Sequence, residues 1–351
     1  MAENSFKEWW SDLQENKKSR KQIELLKSKS NNISNIKNNK VLFISNVNGL
    51  GDAIMLRGVL KPFIDDGYEI TLITKKYHKD AFCDLNIKNI FLWNDLENIK
   101  FDEYNLAIGH HKDYLTYKVL LEIPAKNKYI INSQDEFKDF IIINTKNKPN
   151  NIWEVYDNFL SQFGYQYNLI DFKENKELFN KLNLEKDNYI AIHIGSGSLC
   201  KNWGIENFIN LSKELDKLKI DYYFLAGPFE KDILDKYQLD NIVSNLEFSK
   251  LIEVVRNAKM VVCHGTSILH LSVTVGTSTI SINSTYDYRF WHPYKDLVQY
   301  KDKHIALTSK SSTECSKYRR LIDFGLGLNR DGCPILKKEI KVSDVLEYII
   351  D

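Results

Sequence analysis

Several things are scarce in this sequence, and each scarcity excludes something. Its five cysteines are odd in number and scattered, with no CxxC pair. Neither a disulfide framework nor a cysteine-rich zinc site is therefore expected, and the thiols read as reduced groups in a cytoplasmic protein. Cys315 and Cys333 share the C-terminal tail and are open to pairing or to a metal, but two ligands fall short of a metal site. No run approaches the ~18 apolar residues of a membrane span, and the first residues are polar with no signal-peptide core. An excess of one charge is missing too. With 48 basic and 47 acidic residues the net charge is +1, which gives no reason to expect bulk nucleic-acid binding. No repeat has a solenoid period. What remains is 351 residues, 43% hydrophobic and 27% charged: a globular composition, and a length that suits two domains.

Familiar catalytic motifs are also missing. Gly49 and Gly51 begin a dinucleotide fingerprint, but its third glycine position is Ile54, and the second strand ends at Thr74 and Lys75 without the carboxylate that would read a ribose. The P-loop and the GxSxG elbow are absent. So are acidic DxD-type clusters that would hold a divalent cation near the glycine turns.

Residues 1–40 stand apart. Phe6, Trp9, Trp10 and Leu13 recur at helical spacing ahead of a Lys/Arg-rich stretch and an Asn/Ser/Lys linker. The segment reads as a helix packing its aromatic stripe on the body, or as a basic amphipathic arm for a membrane surface or partner protein. Short apolar strands alternate with helices from residue 41. A strand at 41–45, the turn 46–51, a helix over 52–64 and a strand at 68–74 form a β–α–β unit, which implies a parallel sheet with a right-handed crossover. Further strands are expected at 89–93, 104–109, 128–131 and 140–144, with a helix over 151–163. The first domain is placed at 41–170, and the polar stretch 168–187 reads as a linker.

The pattern restarts in a second domain at 188–335, before a terminal helical segment at 336–351. Strands are expected at 189–194, 221–226, 260–263 and 278–282, with helices over 205–218, 230–236 and 250–258. Each half opens with strand, glycine turn and helix. The fold class is accordingly α/β, two doubly wound domains facing across a cleft, and ligands of such sheets bind at the carboxyl ends of the strands.

Those ends carry the candidate residues. Asp52 follows Gly51 at the first turn and serves either as a stabilising acid at a helix start or as a general base. Ser196, Gly197 and Ser198, with Lys201 beyond, suit a diphosphate: hydroxyl and backbone donors at a helix start, plus one point charge. The turn Gly265, Thr266, Ser267 leads from a strand directly into a helix. It is either an ordinary joint or an anion- and hydroxyl-binding point. His110 and His111 end a first-domain strand, as exposed loop residues or as acceptor contacts. Trp291 and Tyr294 stack on a sugar or pack a joint.

The order of these segments resembles glycosyltransferase family 9, the ADP-heptose glycosyltransferases. Gly51-Asp52 and its helix are similar to the family's N-terminal GD motif, and residues 193–203 to its glycine/serine loop ending in Lys-x-Trp. Residues 225–230 resemble its strand and acidic turn, residues 263–271 its Asp-Thr-Gly-x-x-His-Leu-Ala motif, and residues 287–293 its Trp-x-Pro segment. The similarity spans residues 41–350. It implies a GT-B fold and an inverting, metal-independent transfer from a nucleotide sugar, ADP-heptose foremost, to a glycolipid, glycan or protein hydroxyl, with no cofactor. Asp52 would be the base, and Ser196, Gly197 and Lys201 would meet the departing diphosphate. Glu230 would contact the ribose, Leu246 the base, and His264, Gly265, Thr266, Ser267 and His270 the donor sugar. One departure stands out. The family's Asp falls on Gly265, so either His264 takes its place, or the donor is not the usual heptose, or activity is lost. A sugar-nucleotide epimerase of the same shape and a non-catalytic nucleotide-sugar-binding scaffold are the other readings. The expected location is cytoplasmic, peripheral at the inner membrane surface if the acceptor is lipid-linked.

Overall fold

The computed structural model describes residues 37–47, 49–111, 113–131, 140–142, 149–182, 184–196, 201–311 and 332–350. The expectations for residues 1–36, Gly197, Ser198 and Cys315 lie outside the described residues. The chain divides into two compact units, residues 1–170 and 171–351.

In the first unit the strands are β1 (Lys40–Ile44), β2 (Glu69–Thr74), β3 (Asn89–Leu92), β4 (Tyr104–Gly109), β5 (Ala125–Ile130) and β6 (Phe140–Ile142), and the helices α1 (Leu50–Asp65), α2 (Tyr114–Glu122) and α3 (Ile152–Leu160). The strands form one sheet in the order β3-β2-β1-β4-β5-β6, parallel throughout. Strands covered on both faces by crossover helices need continuous apolar runs rather than alternation, and Val41, Leu42, Phe43 and Ile44 of β1 are all fully buried. Phe63 of α1 lies edge-on to Phe43, Phe163 and Tyr165, at centroid distances of 5.5, 5.0 and 5.2 Å.

The second unit repeats the plan. After α4 (Lys176–Asn180) come β7 (Tyr189–His193), α5 (Ile205–Leu218), β8 (Asp221–Ala226), α6 (Pro228–Leu234), β9 (Ile242–Ser244), α7 (Phe248–Arg256), β10 (Met260–His264), α8 (Ser267–Thr274), β11 (Thr279–Asn283), α9 (Thr285–Trp291), β12 (His304–Thr308), α10 (Pro334–Glu339) and α11 (Val342–Ile350). Its sheet runs β12-β11-β10-β7-β8-β9, again parallel. Numbered within each unit, both sheets have the order 3-2-1-4-5-6 of a doubly wound dinucleotide-type fold. The strand order reverses between β1 and β4 in one and between β7 and β10 in the other.

Two expectations change. The stretch read as a linker is folded onto the second unit: Asp171 pairs with Arg256 at 2.9 Å, Phe172 packs on Phe248, and the Asn175 amide donates to Glu253. Its polar composition hid the apolar anchors Phe172 and Phe179, both buried. The terminal helix is likewise part of that unit's core through Val345 and Ile349. Strands β9 and β12 go beyond those the sequence predicts. β9 is only three residues long, and β12 carries His304 among its apolar residues.

Candidate active site

Each unit gathers its chemistry where the strand order reverses. In the first, β1 runs into Gly49, the N-cap of α1, and Asp52 stands in the first turn of that helix. A side chain on Gly49 would lie 2.7 Å from Asp52 Oδ2, so the bare glycine leaves the space the half-buried carboxylate occupies. Gly51 is buried in the same turn. A carboxylate here is favoured by the positive end of the helix. At the end of the neighbouring strand β4, His110 is buried and held at both ring nitrogens, Nδ1 to Ser45 Oγ at 3.3 Å and Nε2 to Tyr156 Oη at 2.8 Å. Burial pushes its pKa down to about 3. His110 is therefore a neutral strut, whereas His111 is exposed.

In the second unit, three turns converge at the ends of β7, β8 and β10. Glu230 sits in the first turn of α6 behind the N-cap Gly227. Its two oxygens lie where Cβ atoms on Gly195 and Gly227 would come within 2.5 and 2.8 Å, so both glycines make room for one carboxylate. Burial raises its pKa, opposed by backbone hydrogen bonds from Glu230 itself and Gly227. The reach back to the N-cap amide is half of a capping box. Ser196 and Lys201 are half-buried at the same edge, as is Leu246 after β9.

His264 ends β10 fully buried. Its Nδ1 faces Gly195 O at 3.0 Å and its Nε2 accepts from the Trp203 amide at 2.8 Å, which assigns the proton to Nδ1. Burial, opposed by the hydrogen bond with Gly195 and helped slightly by His193 and Lys201, lowers its pKa to about 4. Both nitrogens are committed, so His264 does not offer a hydrogen bond to a sugar. It fixes the Gly195 and Trp203 backbones against β10 instead. Trp203 is itself fully buried and donates its indole N–H to Ile340 O at 2.9 Å.

Gly265 explains why no carboxylate stands there. A Cβ would lie 2.5 Å from Asn283 Oδ1, 2.7 Å from His292 Cδ2 and 2.8 Å from His292 Nε2. Thr266 caps α8 without a side-chain cap bond. Thr266 and Ser267 are half-buried there, and the first-turn amides of α8 form an anion-favouring edge. His270, one turn on, is buried, hydrogen-bonds Tyr294 Oη at 2.5 Å through Nδ1 and lies 4.8 Å from the His292 ring. Burial, then Lys201, brings its pKa down to about 3. Tyr294 is thus packed within the second unit, against His270, Tyr300 and His304. In the sequence Asn283 and Ser284, just past the strand expected at 278–282, carry no distinguishing mark, and His292 has only a place in the Trp-x-Pro segment. Among the described residues no group of three or more His, Cys, Asp or Glu side chains is placed to hold a metal ion. Cys333 is a buried free thiol, and no described helix is long and apolar enough to cross a membrane.

Two parallel doubly wound units, with candidate residues at both reversal points, define the class as a GT-B-type α/β protein. Residues 153–319 match the family model of glycosyltransferase family 9 (heptosyltransferase), so that part of the chain is similar to this family. Among solved structures it is similar to a glycosyl transferase family 9 protein from Veillonella parvula, with a TM-score of 0.69 at 14% identity, covering 91% of this chain and 98% of that one. It is similar also to E. coli ADP-heptose lps heptosyltransferase II, with a TM-score of 0.62 at 10% identity over 89% and 97% of the two chains. E. coli heptosyltransferase WaaC with ADP gives a TM-score of 0.59 at 12% identity, again over 89% and 97%. No curated protein matches the chain in sequence. The family match supports glycosyltransferase activity in general; the structural likenesses, at these identities, speak for the fold.

Proposed function

We propose that the protein is an inverting, metal-independent glycosyltransferase that moves a sugar, heptose from ADP-heptose foremost, onto a hydroxyl of a glycoconjugate or protein acceptor. The observation that carries this reading is the pairing of chemistries at the two strand-order reversals: a carboxylate in the first unit, and a lysine with hydroxyls and a helix start in the second. Asp52 takes the proton of the acceptor hydroxyl. The freed oxygen attacks the anomeric carbon as the bond to the nucleoside diphosphate breaks, which inverts the centre. Negative charge then develops on the leaving phosphate oxygen, where Lys201, Ser196 and the first turn of α8 oppose it. With that charge met by protein groups, a divalent ion has no required part, and chelator should leave the rate unchanged. Glu230 and Leu246 serve the nucleoside. The complex of WaaC with ADP supports an adenine nucleotide.

The test is calorimetric titration with ADP-, UDP- and GDP-sugars, followed by turnover with and without acceptor. Asp52→Asn retains an oxygen able to cap α1, so folding should survive. Turnover should fall by about 10²-fold or more, with donor affinity unchanged. Consumption of the nucleotide sugar without acceptor would move the reading to an epimerase, and full activity of Asp52→Asn would remove the base.

A further inference from the structure

Against Gly265, and on the turn that follows β11, stand polar atoms that make no hydrogen bond among the described residues. Asn283 Oδ1, Ser284 Oγ and both ring nitrogens of His292 are buried without a hydrogen bond, on side chains only 3%, 1% and 4% exposed. Buried polar groups are nearly always paired, so several orphans at one point call for an explanation. Each is also placed deliberately. Asn283 spends both amide hydrogens on Ser281, on its carbonyl at 3.0 Å and its hydroxyl at 2.8 Å, which fixes Oδ1 as the free, accepting end. Ser284 is the N-cap of α9 yet makes no cap bond, the one use a serine there ordinarily has. His292 stacks beside His270, and burial holds it neutral. Its ring lies close against Gly265.

Resting on the transferase reading, we infer that Asn283, Ser284 and His292 form the subsite that recognises the donor's glycosyl group, standing where a carboxylate at position 265 has no room. A neutral imidazole supplies one donor and one acceptor, the serine either, and Asn283 Oδ1 only accepts. The complementary ligand is a neutral sugar with neighbouring hydroxyls, one of which donates to Oδ1; a sugar carboxylate has no hydrogen to give there. These side chains are closed to solvent in the ligand-free protein, so binding requires the surrounding elements to open.

The test compares each nucleoside diphosphate with its sugar: ADP with ADP-heptose, UDP with UDP-glucose, and GDP with GDP-mannose, titrated into wild type, His292→Phe and Asn283→Ala. For the pair that wild type binds, the diphosphate should bind both variants within about twofold of wild type, and the nucleotide sugar about tenfold or more weakly, the worth of one or two lost hydrogen bonds. Asn283→Ala also loses the bonds to Ser281 and should melt lower. His292→Phe keeps a ring against His270 while removing two unpaired buried nitrogens, so its ligand-free Tm should equal or exceed wild type. Parallel weakening of diphosphate and sugar, or no weakening of either, overturns the subsite. A wild type that binds none of the six ligands overturns the transferase reading and this inference together, a pattern distinct from any the variants produce.

Discussion

A methyl group at Gly265 has nowhere to go. The amide oxygen of Asn283 and the ring of His292 already occupy the position its hydrogen faces. Asn283 is tied to Ser281, and the His292 ring lies against His270, so neither neighbour yields cheaply. Gly265→Ala should therefore lower stability by about 1–3 kcal/mol, the ordinary range for overpacking, and Gly265→Asp by more, since it adds a buried charge. Chemical denaturation read by tryptophan fluorescence checks this; unchanged midpoints would mean the neighbours are free to move. The glycine was visible in the sequence as a departure from a resembled motif. What excluded the aspartate was not, because Asn283 and His292 reach this point from later elements, and neither residue type announces that its polar atoms will be left unpaired.

Helix starts and helix contacts show a similar division. The apolar runs of β1, β4, β8 and β10 and the amphipathic pattern of α5 were plain in the sequence, within a residue or so of where they lie. So were the glycine turns that end β1 and β7. Two acids, Asp52 and Glu230, occupy the same place in their helices, three residues past a glycine N-cap, a local regularity that the sequence displays. The close approach of α1 to the segment returning from α3 was not legible. Gly58, in mid-helix, faces the Asn168 carbonyl and the Tyr167 ring, and a Cβ there would meet them at 2.1 and 2.7 Å. Tyr167 is held in turn by its hydroxyl bond to Met55 O at 2.9 Å, and Arg57, fully buried, reaches Ile170 O at 3.2 Å. Helix propensity alone would have Gly58→Ala stabilise α1 by about 1 kcal/mol. The contact with backbone reverses that sign: Gly58→Ala should lower the Tm of the first unit, and a rise would show that the 167–170 segment can stand off from α1.

For the molecule as a whole, the twofold restart of strand, glycine turn and helix was enough to reveal two α/β units, because parallel strands buried on both faces write themselves as apolar runs. Short edge strands such as β9, and the anchoring of residues 171–180, escaped because their few apolar residues sit in polar surroundings. The histidines make the same point about charge. The chain has eight histidines, a residue type whose ordinary pKa lies near neutrality. In the structure seven are pushed below their ordinary value, chiefly by burial: His78 and His110 in the first unit, and His193, His264, His270, His292 and His304 in the second. A histidine buried neutral binds fewer protons folded than unfolded, so its contribution to stability is complete above about pH 6.5 and is lost as the pH falls toward the folded value. Over that window each fully buried ring forfeits about 1.4 kcal/mol per pH unit. For His264, pushed down to about 4, the window runs from about 6.5 to 4. With five such rings against two, the second unit should lose stability faster on acidification. Hydrogen exchange of the intact protein between pH 7.5 and 5 should show protection in β7, β8 and β10 collapsing before that in β1, β2 and β4. Simultaneous loss, or the first unit failing first, would mean that groups other than the buried imidazoles govern the acid transition.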